Sequence, residues 1–348
     1  MNKVKWGIIG PGKIAHRFAD GLKECSSGDL IAIASKTEER RNSFGDKFGI
    51  EKSLRFNNYE QIIETSEVDA IYISTPHTLH AECTINAVNN GKHVLCEKPA
   101  CINYLEGKRV IKAVKSSGVF YMEGFMYRCH PQIVKLLNLI KLDTIGEIKL
   151  IQSSFCFNIG NVDPKSRLFN IDLAGGAILD VGLYPVSFSR LIAGTVSNFF
   201  FLNPYKVEGK AHIGDTGVDE ISQAKLYFDN DIIAEVYTAI TKDEDDIAII
   251  KGTKGSISLT NPWTLGKDGG PYESAIIIRK EEKEEIIQIK GPEHLFSFEA
   301  EIASRSIIEK KTEADPPAMT WDDTLGNLAV LDSWRKEIGY KLPADNKD

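Results

Sequence analysis

Up to about residue 123 the chain alternates short apolar runs with amphipathic stretches. Val4–Ile9 is an apolar run closed by Gly10, and Lys13–Lys23 follows with Ile14, Phe18 and Leu22 at i, i+4 and i+8, one stripe of a helix. The beat repeats: strands are predicted at Leu30–Ala34, Val68–Ser74, His93–Cys96 and Val119–Met122. Helices are predicted at Thr37–Phe48 (with Thr37 as cap), Tyr59–Thr65, His80–Asn90 (closed by Gly91) and Tyr104–Ser116. Strand–helix alternation of this kind calls for a parallel sheet covered on both faces.

Beyond Glu123 the rhythm changes. One helix, Gln132–Leu142, precedes long stretches of period two. Glu147–Asn158, Gln223–Phe228, Ile232–Thr241, Ala248–Gly252, Ser256–Leu259 and Ser274–Arg279 read as strands, punctuated by turns such as Asn230-Asp231 and Lys254-Gly255. Glu281–Glu285 reads as a solvated charged edge, and Phe296–Lys310 and Thr324–Ile338 as closing helices. The expected class is α/β: a Rossmann-type dinucleotide-binding domain over 1–123, then an α+β domain over 124–348 with a large, mainly antiparallel open sheet. The last helices of the second domain are expected to pack back on the first.

Composition narrows the function. With 348 residues, 42% hydrophobic and 26% charged, the chain can build a sizeable core and is not a disordered or fibrous polymer. A net charge of −7 argues against a nucleic-acid-coating surface. No uninterrupted apolar run approaches ~18 residues, so no membrane span is expected. The N-terminus MNKVKWGIIG has no apolar signal core, and none of the six cysteines forms a C-x-x-C pair. Both features point to a reducing, cytoplasmic setting.

Gly10-Pro11-Gly12-Lys13-Ile14-Ala15 matches G-x-G-x-x-G/A, and its place between the first strand and first helix is the context that the motif needs. Gly10 permits the turn, Gly12 lets a pyrophosphate approach the backbone, and the helix N-terminus attracts anions. At the tip of the second strand, where NAD enzymes place a carboxylate for the ribose 2′-OH, this chain has Ser35 and Lys36, with Arg40 one turn on. A hydroxyl and two cations suit a 2′-phosphate, so NADP is expected over NAD. Ser74-Thr75-Pro76-His77, His80 and Glu97-Lys98 follow later strands and should reach the same edge as cofactor-binding residues. His77 and His80 have no third partner at a ligand spacing, so no metal is expected.

Lys98 precedes a proline at a strand end. In the glycine-rich segment 173–186, Asp180 and Tyr184 stand i, i+4, on one face if helical. A nearby ammonium would favour the phenolate of Tyr184 and lower its pKa, making Lys98 and Tyr184 a plausible pair for moving a hydroxyl proton as hydride leaves.

The segments GIIGPGKIA (7–15), STPHTLHAE (74–82), CEKPA (96–100), MEGFMYRCHPQ (122–132), GGAILDVGLYP (175–185) and DDTLGNLAVLDSWRKEIG (322–339) resemble the glucose–fructose oxidoreductase / inositol dehydrogenase family (Gfo/Idh/MocA). The resemblance spans nearly the whole chain. It implies pyridine-nucleotide oxidoreduction of a sugar, polyol or related compound without metal. It also implies Lys98, Asp180 and Tyr184 as the catalytic group, and a homodimer or homotetramer formed through the second sheet. Tyrosine at 184 places the chain with the branch that includes dihydrodiol dehydrogenases and NADP-dependent xylose or glucose dehydrogenases. Arg128 and Arg167 lie in segments that flank the pocket in such relatives and, with Asp180 and Tyr184, are the candidates for binding substrate. The leading expectation is an aldose 1-dehydrogenase-like activity. The alternatives are a trans-dihydrodiol dehydrogenase, a nucleotide-sugar 3-ketoreductase or a non-catalytic NADP sensor.

Overall fold

The structure is a computed structural model that describes residues 3–197 and 199–346. The strands of its first sheet are β1 (Val4–Ile9), β2 (Gly28–Ala34), β3 (Arg55–Phe56), β4 (Ala70–Ile73), β5 (His93–Glu97) and β6 (Tyr121–Gly124). Between them run α1 (Lys13–Leu22), α2 (Glu38–Phe48), α3 (Tyr59–Glu64), α4 (His80–Asn89) and α5 (Tyr104–Ser117). All six strands are parallel, in the order β3-β2-β1-β4-β5-β6. The order reverses between β1 and β4, which opens a crevice at their carboxyl ends where such sheets take ligands. These strands are nearly continuous runs of buried apolar residues because helices cover both faces.

Then follow α6 (Met126–Cys129), α7 (Pro131–Lys141), β7 (Ile148–Cys156) and α8 (Leu183–Val196), the last entered through a π-helical turn at Ile178–Gly182. Seven strands complete the second sheet: β8 (Lys206–Ile213), β9 (Asp219–Tyr227), β10 (Ile233–Ala239), β11 (Ala248–Gly252), β12 (Gly255–Leu259), β13 (Tyr272–Lys280) and β14 (Lys283–Gly291). Its order is β14-β13-β12-β11-β7-β10-β9-β8, antiparallel except for β7 with β10. The chain closes with α9 (Leu295–Ile308) and α10 (Trp321–Glu337).

The closing helices return to the first sheet. Trp6 Nε1 donates to Ser304 Oγ of α9 at 2.9 Å, and Gly21 of α1 lies so close to Phe296 that a Cβ there would sit 2.8 Å from its backbone. One apolar core therefore runs from Trp6, Phe18 and Tyr72 through α9 to Val236, Ile257 and Trp263 on the inner face of the second sheet. That continuity holds the carboxyl edge of the first sheet against the start of α8.

Several local expectations are corrected. Thr37 stands at the start of α2 but its side chain does not cap; Ser35 Oγ instead accepts the Thr37 N–H at 3.2 Å. The charged segment at 281–285 leads into a full edge strand, β14, and the edge strand β8 was not foreseen. Ile171–Val196 forms a helical stretch long and apolar enough to cross a membrane, which a search for unbroken apolar runs missed. Its most apolar window is 83% buried inside the protein, so it is the central core helix.

Candidate functional site

The ends of β1, β2, β4 and β5 meet the start of α8 around a cleft of about 580 Å³. Gly10 turns the chain with φ of +92°, and a Cβ there would fall 2.9 Å from Ser74 O, so both conformation and space demand glycine. Ser74 Oγ donates to Gly10 O at 2.9 Å and ties the β4 end to this turn. In front of Gly12 there is nothing within 4 Å of where a Cβ would lie. Gly12 is also the residue before α1, with no side chain capping the helix and no acidic residue in its first turn. An open cradle before uncapped amides fits a pyrophosphate.

At the β2 end, Ser35 is buried, while Lys36 and Arg40 line the cleft with no ion-pair partner among the described residues. Arg41 points back and donates to Ser35 O at 2.8 Å, so it shapes the loop rather than the cleft. Lys36 Nζ lies 5.4 Å from the ring centroid of Tyr59. Lys13, Ile14, Thr75, Pro76, His77, His80 and Glu97 line the same space. Burial, helped by Arg167 and His80, pushes the His77 ring well below its ordinary pKa, so it is neutral; its Nδ1 lies 3.4 Å from Ala174 O.

The chemical end is a charge array. Lys98 Nζ donates to Asp180 O at 2.7 Å and lies 3.8 Å from Asp180 Oδ1; Arg167 meets the same Oδ1 at 2.7 Å. Burial opposes ionisation of Asp180, but Arg167 and Lys98 prevail and hold its carboxyl well below the usual carboxylate range. The π-helical turn carries Asp180, and such turns recur at functional positions because they re-aim side chains within a helix. The buried Asp219 accepts the Ile178 N–H at 2.9 Å and holds the start of this turn.

Two sequence-based expectations change here. Tyr184 does not line the cleft: it is 2% exposed, and its hydroxyl donates to Met126 Sδ at 3.3 Å. Phe125, Tyr127, Phe155 and Trp263 surround its ring at centroid distances of 5.1–6.0 Å. Lys98 Nζ lies over the ring face, 5.2 Å from the centroid. Burial, then the charges of Glu97 and Asp180, push the phenol well above its ordinary pKa, so the expected lowering by Lys98 does not occur. Arg128 is no pocket residue. It is 1% exposed and donates to Asp323 at 2.7 Å, Ser187 Oγ at 2.8 Å and Pro317 O at 2.7 Å.

Residues 4–125 match the sequence model of the GFO/IDH/MocA oxidoreductase family with its NAD-binding Rossmann fold, and residues 133–258 match the GFO/IDH/MocA C-terminal domain. The chain belongs to the Gfo/Idh/MocA family. It is 27% identical to a trans-1,2-dihydrobenzene-1,2-diol dehydrogenase of Mus musculus, covering 99% of both chains. To an uncharacterised oxidoreductase of Rhizobium meliloti it is 32% identical over 77% of this chain and 78% of the other. Its fold matches an aldose–aldose oxidoreductase from Caulobacter crescentus complexed with glycerol (TM-score 0.84, 24% identity, 97% of each chain). It also matches a 3-ketoreductase from Actinomadura kijaniata in complex with NADP and TDP-benzene (TM-score 0.83, 24% identity, 97% of this chain and 98% of the other).

As a Gfo/Idh/MocA oxidoreductase, the chain has site residues that sequence reasoning passed over. Arg17 and Tyr59 line the cleft. Arg17 stands one helical turn after Lys13, a spacing that could have singled it out, and pairs with Asp268 at 2.7 Å. Tyr59 follows a two-residue strand and carried no readable signal. Behind the cleft, Glu299 of α9 has no exposure and, among the described residues, no hydrogen-bond partner for either oxygen; burial and the nearby Glu97 drive its pKa well up, so it stands as a neutral acid.

Proposed function

We propose that this chain is an NADP-dependent oxidoreductase acting on a secondary or anomeric hydroxyl of a cyclic sugar or polyol, and that Lys98, Asp180 and Tyr184 carry the chemistry. The observation that bears most weight is the Lys98–Asp180–Arg167 array at the carboxyl edge of the dinucleotide sheet. Ser35, Lys36 and Arg40 would hold the 2′-phosphate, and Gly10, Gly12 and the start of α1 the pyrophosphate. The bound nicotinamide supplies the hydride acceptor or donor. Lys98 donates a hydrogen bond to the substrate oxygen. Tyr184, with its ring beneath Lys98, holds the transferable proton on its phenol oxygen. Asp180 fixes Lys98 and Arg167, and Arg167, half exposed, keeps free N–H groups for neighbouring hydroxyls.

Tyr184→Phe should lower kcat on the order of 10²- to 10⁴-fold with the Kd for NADPH retained, and Lys98→Met should do the same. Wild-type kcat in either variant removes that residue from its role. A second reading, oxidation of a cyclic aromatic dihydrodiol, is favoured by the dihydrodiol dehydrogenases that match the chain end to end. Turnover on a panel of aldoses and dihydrodiols, followed at the NADPH absorbance band, separates the two.

The six unpaired cysteines support a reducing, cytoplasmic setting. The outer face of the second sheet, opposite α8, carries Leu150, Ile221, Ile233, Tyr237 and Ile249 half-buried among polar neighbours, which supports pairing of two or four copies through this face. Light scattering of the purified chain tests it; a monomer at all concentrations rejects it.

A further inference from the structure

His80 stands on the first turn of α4, 1% exposed, between two loops of the cleft edge. Its Nδ1 lies 2.8 Å from Pro99 O, the residue after Lys98, and its Nε2 lies 2.8 Å from Thr75 O. Both partners are backbone carbonyls, which only accept. A neutral imidazole carries one N–H and one bare lone pair. A neutral ring here would set that lone pair against a carbonyl oxygen at hydrogen-bond distance, in a place closed to water, whereas a doubly protonated ring satisfies both carbonyls.

We propose that His80 is an imidazolium staple: it donates to Pro99 O and Thr75 O together and so fixes the loop carrying Lys98 to the loop carrying Thr75 and Pro76. It touches no reacting atom and is a positioning residue for Lys98. The titratable groups around it are His77 from the preceding turn, with ring centroids 5.8 Å apart, Lys98 after β5, and Arg167 after β7. Burial, with Lys98 and Arg167, outweighs the two carbonyls and lowers the pKa of the ring, so the doubly protonated form is argued from the two 2.8 Å contacts to groups that only accept. His77 is itself neutral and adds no competing charge.

The inference rests on the proposed function in that Lys98 carries the chemistry, so its primary test needs no substrate. The full chain, ¹⁵N-labelled in its histidines and bound to NADPH, is studied by NMR at pH 7.5. His93, His130 and His294 each accept a backbone N–H at Nδ1, from Phe120, Gln132 and Phe296, and should show a bare Nδ1. One ring with two protonated, slowly exchanging nitrogens, lost in His80→Gln, is the expected result. Bare nitrogens on every buried ring overturn the proposal even in an enzyme that turns over, and the unaltered chain gives this answer whether or not the variant folds. Where it folds, His80→Gln keeps one donor and should lower kcat on the order of 10- to 100-fold, the Kd for NADPH little changed. Unchanged kcat overturns the positioning role.

Discussion

Arg128 and Arg167 are two arginines with the same sequence-level claim on substrate, and the structure gives them opposite consequences. Arg128→Met replaces a fully buried guanidinium by an apolar chain of similar length. It deletes donors to Asp323, Ser187 Oγ and Pro317 O at 2.7–2.8 Å. Asp323 keeps Arg190 at 2.6 Å, and Ser187 still receives the Tyr127 hydroxyl at 3.0 Å, so the largest part of the loss is one side of a desolvated ion pair. Breaking such a pair costs about 3–5 kcal/mol. For a chain of 348 residues the unfolding entropy is about 0.7 kcal/mol per kelvin, so Tm should fall by about 4–7 °C. The folded fraction should keep its KM for substrate and its Kd for NADPH. Arg167→Met removes a half-exposed arginine and leaves the buried Asp180 to Lys98 alone, so it should also cost some stability. Its KM should rise, because the freed hydroxyl-binding N–H groups are gone. Denaturant titration alongside steady-state kinetics of both variants is the assay. A raised KM with unaltered stability in Arg128→Met would refute the assignment of Arg128 to the core.

Lys36→Ala and Arg40→Ala should each weaken NADPH by roughly fivefold, about 1 kcal/mol for an exposed cation, and leave the Kd for NADH unchanged; equal losses for both cofactors would contradict a 2′-phosphate role. Glu123 is buried, with its pKa raised to about 7 by burial against donors from Ala100 N and Thr324 Oγ1. The folded state therefore holds a proton that the unfolded chain releases above its ordinary value of 4.5, so stability should fall as pH rises from 4.5 to 7 and then level. Glu123→Gln should remove that part of the slope, on the order of 3 kcal/mol, in melts between pH 5 and 8; an unchanged slope would show that the carboxyl is already ionised. Tyr184 predicts that reductive kcat is flat from pH 6 to 9 while oxidative kcat climbs with pH throughout, since the phenolate becomes commoner but never dominant. An oxidative plateau near neutrality would mean that Lys98 does lower the phenol after all.

How far the sequence could be read depended on how local the cause was. Gly10, Gly12, Ser35 and Lys98 were legible because turn geometry and strand ends act over a few residues. Arg128 was not, because the partner that decides its role, Asp323, lies 195 residues away. The start of α8 escaped as a helix because it is buried on every side: without a polar face there is no stripe of period 3.6 to see. Strands β8 and β14 escaped for the opposite reason. As sheet edges they carry Lys206, Glu208, Lys210, Lys283 and Glu284, the charges that keep an edge from pairing with another chain, and such charges read as loop.

The same distinction governs the chemistry at Tyr184. Spacing put Asp180 and Tyr184 together and correctly drew Lys98 toward both, but it treated the ammonium as the only charge that mattered. The fold sets Lys98 against Asp180, so much of its field is answered before it reaches the phenol. It also brings the charge of Glu97 near the tyrosine, and surrounds the ring with aromatic residues that solvate a phenolate poorly. Lys98 lies over the ring face, where an ammonium binds the π system and leaves the hydroxyl to another partner. Tyr184 is therefore built to keep its proton. In the proposed function, a side chain that keeps a proton at neutral pH serves best as an acid, which would favour the reductive direction: hydride would arrive at a carbonyl carbon, and the growing charge on oxygen would meet Lys98 and then the phenol.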